Sequence, residues 1–429
     1  MLPTSGEAKA LRPEERAGLW WHRDFRSLWG GETVSELGSQ VSVLAVPLVA
    51  VRALHATTFE VGALTAASTV GFVLVGLPAG ALVDRLRRRH VMMVADAGRV
   101  LAMASVPVAA ALHRLTMAQL YVVSLVSGVL TVFFDVAYQS YLPFLVGRDK
   151  LVEGNAKLTG SAEVAQVAGP SIAGGLVQAI GGAYAIATDA ASFLVSAAAL
   201  WAIRAREPVP EVPDGGHPRL RRDIGEGLRF VFGHRLLRVI AATTATGNLF
   251  GGGMFGAVSI VFLVRVVHAS PGVIGALFAA GGAGGVLAAL LSSQVARRIG
   301  GARATLAGSL VSGGLLLVPL TTRGAGLALF AAGYFAFGFG AVLYNVNQVS
   351  FRQRLCPERL LGRMNATIRF VVWGTLPVGG LLGGAIGTAI GLRPTLWLAA
   401  LGGSLSTLFL VASPIRSMRD FPPAPEPGA

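Results

Sequence analysis

Twelve predominantly apolar runs, each about 20 residues or longer, succeed one another through this chain of 429 residues. A helix needs about 20 apolar residues to cross the hydrocarbon of a bilayer. Inside that hydrocarbon every backbone polar group must be satisfied within its own segment, so runs of this kind have to be helices. They lie at 29–54, 60–83, 91–112, 117–142, 157–181, 183–204, 236–264, 271–295, 302–322, 325–350, 367–390 and 394–414. Only 14% of the residues are charged, against about 25% in a soluble domain, so no charged shell could cover so much apolar surface. An all-α integral membrane protein is the class that remains.

Charge fixes the expected orientation. The chain has 36 Lys and Arg against 22 Asp and Glu. With the N-terminus in the cytoplasm, thirty of those 36 cations fall in inner segments and five in outer loops, with Arg99 inside a span. The positive-inside rule then puts both termini on the cytoplasmic face of a plasma membrane. The net charge of +14 needs no nucleic acid to explain it. The division predicted is a cytoplasmic N-terminal tail (1–28), a six-helix bundle (29–204), a cytoplasmic linker (205–235), a second six-helix bundle (236–414) and a disordered tail (415–429). The first 27 residues contain no apolar core of signal-peptide type, so the first span is expected to direct insertion.

The halves repeat. Val51-Arg52-x-x-His55-Ala56 and Gly62-Ala63-Leu64 recur as Val264-Arg265-x-x-His268-Ala269 and Gly275-Ala276-Leu277, an offset of 213. Asn155-Ala156, Gly169, Gly174 and Gly181 recur as Asn365-Ala366, Gly379, Gly384 and Gly391, an offset of 210. Two six-helix units related by a parallel repeat are the plan of a rocking transporter, and neither a receptor nor a membrane enzyme needs such duplication.

These residues carry a family resemblance. Gly80-Ala81-Leu82-Val83-Asp84-Arg85-Leu86-Arg87-Arg88-Arg89 resembles the loop signature of the major facilitator superfamily, with Arg87 where that family usually has Gly. Gly169-Pro170-Ser171-Ile172-Ala173-Gly174 is similar to a signature of its antiporting members, with Ala173 for a glycine. The opening FRSLWGGETVSELGSQVSVLAVPL and the run at 133–146 look like the subgroup of siderophore and macrolide exporters. The resemblance implies a charge-paired conformational latch at Gly80, Asp84, Arg85, Arg88 and Arg89, although arginines there also serve to hold a loop at an anionic leaflet. It implies a bend with close helix packing at Gly169, Pro170, Ala173 and Gly174, and a cavity lined by helices 1, 4, 7 and 10.

Ionisable residues within spans are costly and are functional hypotheses by default. Here they are Glu32, Glu36, Asp96, Arg99, Asp135, Glu163 and Asp189, all in the first half. Glu36, Arg99 and Asp135 lie roughly 12–13 Å from the cytoplasmic ends of their spans, at 1.5 Å per residue. Glu36, Asp135 and Glu32 are the expected proton-coupling residues, and Arg99 with Asp96 the expected structural ion pair. Glu163 and Asp189 read as shallow or pairing residues. Helical spacing adds Ser39, Thr131 and Gln139 to the cavity wall from the first half. Thr244, Asn248, Tyr344, Asn345 and Gln348 complete it from the second.

Other chemistries find no residues to carry them. The single cysteine, Cys356, allows neither an internal disulfide nor a cysteine-cluster metal site. None of the three lysines follows a glycine, so no phosphate-binding loop is present. The G-x-G-x-x-G match at Gly251, Gly253 and Gly256 sits inside a span with no strand before it. The seven histidines lie outside spans or at their ends. The expectation is a transporter and not an enzyme, without nucleotide or other cofactor, whose partners are an amphipathic small molecule, protons and the lipid bilayer. A proton-coupled antiporter exporting that compound leads. An importer of the same fold, a lipid flippase and, distantly, a receptor or enzyme are the alternatives.

Overall fold

A computed structural model describes residues 18–83, 85–147, 149–205, 207 and 220–422. Asp84 of the expected latch and most of the 205–219 stretch lie outside the described residues. The first six long helices are α1 (Arg23–Arg52), α2 (Thr58–Val83), α3 (Arg88–Ala111), α4 (Met117–Val146), α5 (Leu151–Ile180) and α6 (Gly182–Ala202). The second six are α7 (Arg235–Arg265), α8 (Pro271–Ile299), α9 (Gly301–Leu320), α10 (Leu327–Leu355), α11 (Arg363–Ile390) and α12 (Leu392–Val411). No strand occurs among the described residues.

Among the described residues, eleven helices are long and apolar enough on their own to cross a bilayer. The other is α5, with 30 residues; Glu153, Lys157 and Glu163 and its many small residues lower its hydropathy. It is held instead by α1, α8 and α6. Side chains such as Leu101, Val94 and Leu290 stand 75%, 68% and 69% exposed, an apolar outer surface that only lipid accommodates.

The helices start and stop differently from the apolar runs. α1 begins at Arg23 rather than 29, α4 continues to Val146 and α10 to Leu355. A charged residue ends a hydrophobic run without ending a helix, because long polar side chains reach back to water. Termination follows backbone chemistry instead. Gly181 and Gly391, equivalent in the repeat, close α5 and α11 at φ 87° and 92°, a left-handed conformation that glycine adopts without a Cβ clash. His55 and His268 are also equivalents, and both hold positive φ, 52° and 59°.

The polar segments carry structure of their own, and one expectation about them changes. Within the linker, Leu220–Gly233 forms an amphipathic helix packed on α11, with Glu226 paired to Arg363. The C-terminal tail, expected to be disordered from 415, is ordered as far as the described residues run. The Asp420 carboxylate accepts from Gly301 N–H at 2.7 Å, and the Arg419 carbonyl accepts from Ala302 N–H at 3.2 Å. Phe421 stacks on Phe351 with centroids 4.0 Å apart. The tail therefore satisfies the free N–H groups that start α9, a partnership its Pro-rich composition does not advertise.

Candidate transport site

The two halves touch most closely at the end opposite the linker, and they do so through the repeated residues. α2 crosses α11 where Gly62 meets Gly384, and α5 crosses α8 where Gly174 meets Gly275. Under the repeat these are two copies of one contact. A Cβ placed on Gly174 would stand 3.0 Å from the Cα of Gly275, and one on Gly384 would stand 3.1 Å from the Cα of Gly62. No L side chain fits either crossing without separating the helices. Arg52 donates to the carbonyl of Ala269, Arg265 to the carbonyls of His55 and Ala56, and Gly272 N–H to the Gln178 side chain. Among the described residues, every hydrogen bond between the halves lies at this end.

Toward the linker end lies a chamber of about 520 Å³, walled mostly by the second half with Glu163 and Gln166 of α5 on one side. The expected residues Thr244, Asn248, Tyr344, Asn345 and Gln348 line it. The Thr244 hydroxyl and the Tyr344 phenol share a 2.7 Å hydrogen bond, Asn248 donates to the Val372 carbonyl at 3.1 Å, and Gln348 donates to Asn345 at 2.9 Å. Helix α7 opens into a π-helical stretch over Asn248–Met254. Gly251 and Gly252 of that stretch also line the chamber, and Gly251 and Gly253 of the glycine pattern lie within the π-helical stretch. π-Bulges of this kind often mark functional sites.

The first-half residues expected to couple protons or line the cavity do not share that chamber. Glu32 and Glu36 line a separate cavity of about 180 Å³ with Tyr138, Asn155 and Thr159. One carboxylate oxygen of Glu32 is sealed from solvent without a partner, while Glu36 accepts from Gln40 at 3.0 Å. Asp135 lines a third cavity of about 120 Å³ facing Arg369 of α11, with no ion pair between them. Ser39 turns away toward α6, 3.5 Å from the Asp189 carboxylate. Gln139 is exposed and Thr131 half-buried, and neither borders these three cavities.

Arg99 pairs with Asp96, the two being 4% and 0% exposed. Its guanidinium lies between the rings of Phe134 and Phe193, 4.5 and 4.2 Å from their centroids. Around the expected latch, Arg89 donates to the Leu200 and Trp201 carbonyls at 2.9 and 2.8 Å, and Arg88 reaches Glu207 at 3.5 Å. Both partners belong to the end of α6 and the segment just after it, within the same half. Arg85 is exposed, and nothing would oppose a Cβ on Gly80. In α5, Gly169 packs on Gln40 of α1, while Pro170 lies within the helix and its carbonyl meets Gly275. Ala173 is buried beside Gly174.

Residues 20–425 match the family of transmembrane secretion effectors. The chain belongs to this family, a branch of the major facilitator superfamily. The multidrug efflux pump Tap of Mycolicibacterium fortuitum is 26% identical over 374 residues, covering 83% of this chain and 88% of that protein. The enterobactin exporter EntS of Escherichia coli O1:K1 / APEC is 28% identical over 426 residues, covering 94% and 95%. The crystal structure of a point mutant of the nucleoside transporter NupG superposes with a TM-score of 0.75 over 91% of this chain and 99% of that one, at 10% identity. That last likeness is one of fold. The protein is a multi-pass membrane transporter and not an enzyme.

Several residues of the transporter's site escape a sequence reading. Glu163, expected to be shallow or pairing, lines the main chamber from α5. Asp189 is 1% exposed and hydrogen-bonded to serines, with no arginine paired to it. Arg352 and Arg369, counted as inner-loop cations, also line the chamber. A signal was present for Arg352: Tyr344, Gln348 and Arg352 follow at four-residue intervals on one face of α10.

Proposed function

We propose that the protein is a proton-coupled antiporter that exports an amphipathic organic compound across the plasma membrane by alternating access, with both termini and the linker cytoplasmic. The observation that carries this reading is the asymmetry of the molecule. One end is sealed by two glycine crossings and reciprocal arginine bonds, while a drug-sized chamber lies toward the other. With the linker cytoplasmic, the structure is the state that loads from inside. Drug-sized ligands occupy cavities of about 300–1,000 Å³, and the chamber falls in that range. The similarity to a multidrug efflux pump and an enterobactin exporter supports export over import.

The work divides between the halves. Membrane-embedded acids occur only in the first half, so protons are carried there, by Glu36 and Asp135 with Glu32 beside them. The uncharged polar wall of Thr244, Asn248, Tyr344, Asn345 and Gln348 holds the cargo. The sealed end opens when protons enter from outside, and the Asp84 loop with Arg85, Arg88 and Arg89 biases the linker-side closure. Coupling needs only that each ligand bind the two states unequally.

Efflux of a panel of cationic, neutral and anionic dyes from cells lacking their own pumps tests the reading, with and without a protonophore. Export of at least one dye that collapses with the gradient is expected. Export that persists without a gradient, or accumulation above the empty-vector control, overturns it.

A further inference from the structure

We infer that the cargo is an amphipathic organic anion, its acidic group held by Arg352 and Arg369; the inference rests on the exporter reading and specifies its substrate class. Arg352 is 9% exposed and lines the chamber, and among the described residues it makes no ion pair and its Nε has no hydrogen-bond partner. Burying a charge in this way is expensive unless something compensates it. A cation that served only topology would stand in water at the helix end. Arg369, on α11, is exposed and lines the same chamber; it makes no ion pair among the described residues, and Asp135 faces it from the adjoining cavity of about 120 Å³. Its guanidinium lies 5.5 Å from the ring centre of Trp373, which biases its direction without neutralising it.

Against these two cations the chamber wall has one acid, Glu163. The second-half spans supply no other acid, because residues 227–357 and 359–419 contain no Asp or Glu. Beside Arg352, the sealed Oε1 of Gln348 also lacks a partner. An acidic group that carries a neighbouring hydroxyl would satisfy both, accepting from the guanidinium and donating to the amide. Guanidinium groups bind such oxygens through parallel, charge-assisted bonds.

The rest of the chamber suits an apolar body. Phe337 lies fifteen residues before Arg352 on α10, roughly 22 Å at 1.5 Å per residue. Leu315, Leu376 and Ala400 line the same region. The compound would enter acid-end toward the linker with its apolar part among these side chains.

Charge movement follows from the geometry. Protons enter on first-half acids while a negative charge leaves on second-half arginines. Both displacements carry positive charge inward, so an inside-negative membrane potential drives both.

The test compares a dansyl-capped amino acid with its methyl ester, binding to the full-length protein in lipid nanodiscs and corrected for empty discs. Wild type should bind the acid at least about tenfold more tightly than the ester, the yield of about 1.4 kcal/mol from a charge-assisted contact. Arg352→Gln and Arg369→Gln should each reduce that preference, Arg352→Gln more strongly, and Arg352→Lys should retain part of it. The ester's affinity reports whether each variant is folded. Equal binding of acid and ester, a preference untouched in both glutamine variants, or no binding of either probe overturns the inference. Gradient-dependent efflux of a cationic or neutral dye would still uphold the exporter reading in those cases. Gradient-independent efflux would sink that reading whatever the binding result.

Discussion

Arg52 donates from its guanidinium to the carbonyl oxygen of Ala269 at 3.0 Å, and Arg265 returns the bond to the carbonyl of Ala56. Each arginine belongs to one copy of the Val-Arg-x-x-His-Ala repeat and reaches the alanine of the other copy. Duplication of a half-molecule thus supplied a two-fold clasp from a single motif. A carbonyl acceptor carries no charge, which keeps the clasp breakable: each bond contributes about 1 kcal/mol net, less where solvent screens it.

Loss of the clasp should favour opening of the end opposite the linker. With Cys356→Ser as background, a Thr65→Cys reporter lies between the halves near Gly380 and Gly256. Arg52→Gln with Arg265→Gln is expected to raise its labelling by an impermeant maleimide by about tenfold, and each single variant by less. Unchanged labelling in the double variant would reduce the clasp to loop decoration.

The glycine crossings predict a sharper effect. Gly174→Leu or Gly384→Leu should insert normally yet lose nearly all transport, since the sealed state can no longer form. Gly160→Leu, where a Cβ meets nothing within 4 Å, should leave transport intact. Efflux normalised to the amount of protein in the membrane distinguishes these outcomes.

Asp96 and Arg99 should behave as structure rather than machinery. Removing one partner leaves a buried charge uncompensated, at a cost of about 3–5 kcal/mol. Arg99→Gln and Asp96→Asn should each lower the thermal midpoint of the purified protein markedly. A Phe193→Ala variant, which unstacks the guanidinium, should lower it further from a different direction. Stable Arg99→Gln protein without transport would instead place this pair in the cycle.

Much of the fold was legible because its rules are coarse. A bilayer demands helices of a certain length, and a repeat in Arg52, Gly62, Gly174 and their counterparts announces two related halves. The second-half wall could be read too, since Thr244, Asn248, Tyr344, Asn345 and Gln348 are polar residues on otherwise apolar helices. What escaped depended on long-range packing. Glu163 looked shallow because depth along a helix says nothing of which neighbour is absent, and here the missing neighbour is the chamber. Ser39 shares a helical stripe with Glu36, yet it turns to Asp189, because α1 packs on α6 as well as on α5. The tail read as disordered from its prolines, and only the free N-terminus of α9 reveals its partner.

The acids provide the functional prediction. Glu36→Gln and Asp135→Asn preserve shape while removing a titratable proton, so both should bind cargo with near wild-type affinity and lose uphill export. Glu36→Gln is expected to be the more severe, since Glu36 shares its cavity with a second carboxylate, Glu32, whereas Asp135 faces Arg369. Full gradient-driven export by both variants would shift attention to Glu32.

The most direct test of the account reconstitutes the purified protein in proteoliposomes containing a pH-sensitive dye and imposes a proton gradient. Addition of a transported dye to the side facing the linker should produce simultaneous dye movement and opposite proton movement. Proton flux should vanish in Glu36→Gln and dye-free controls. Dye movement at the wild-type rate with no accompanying proton flux would contradict the proposed coupling.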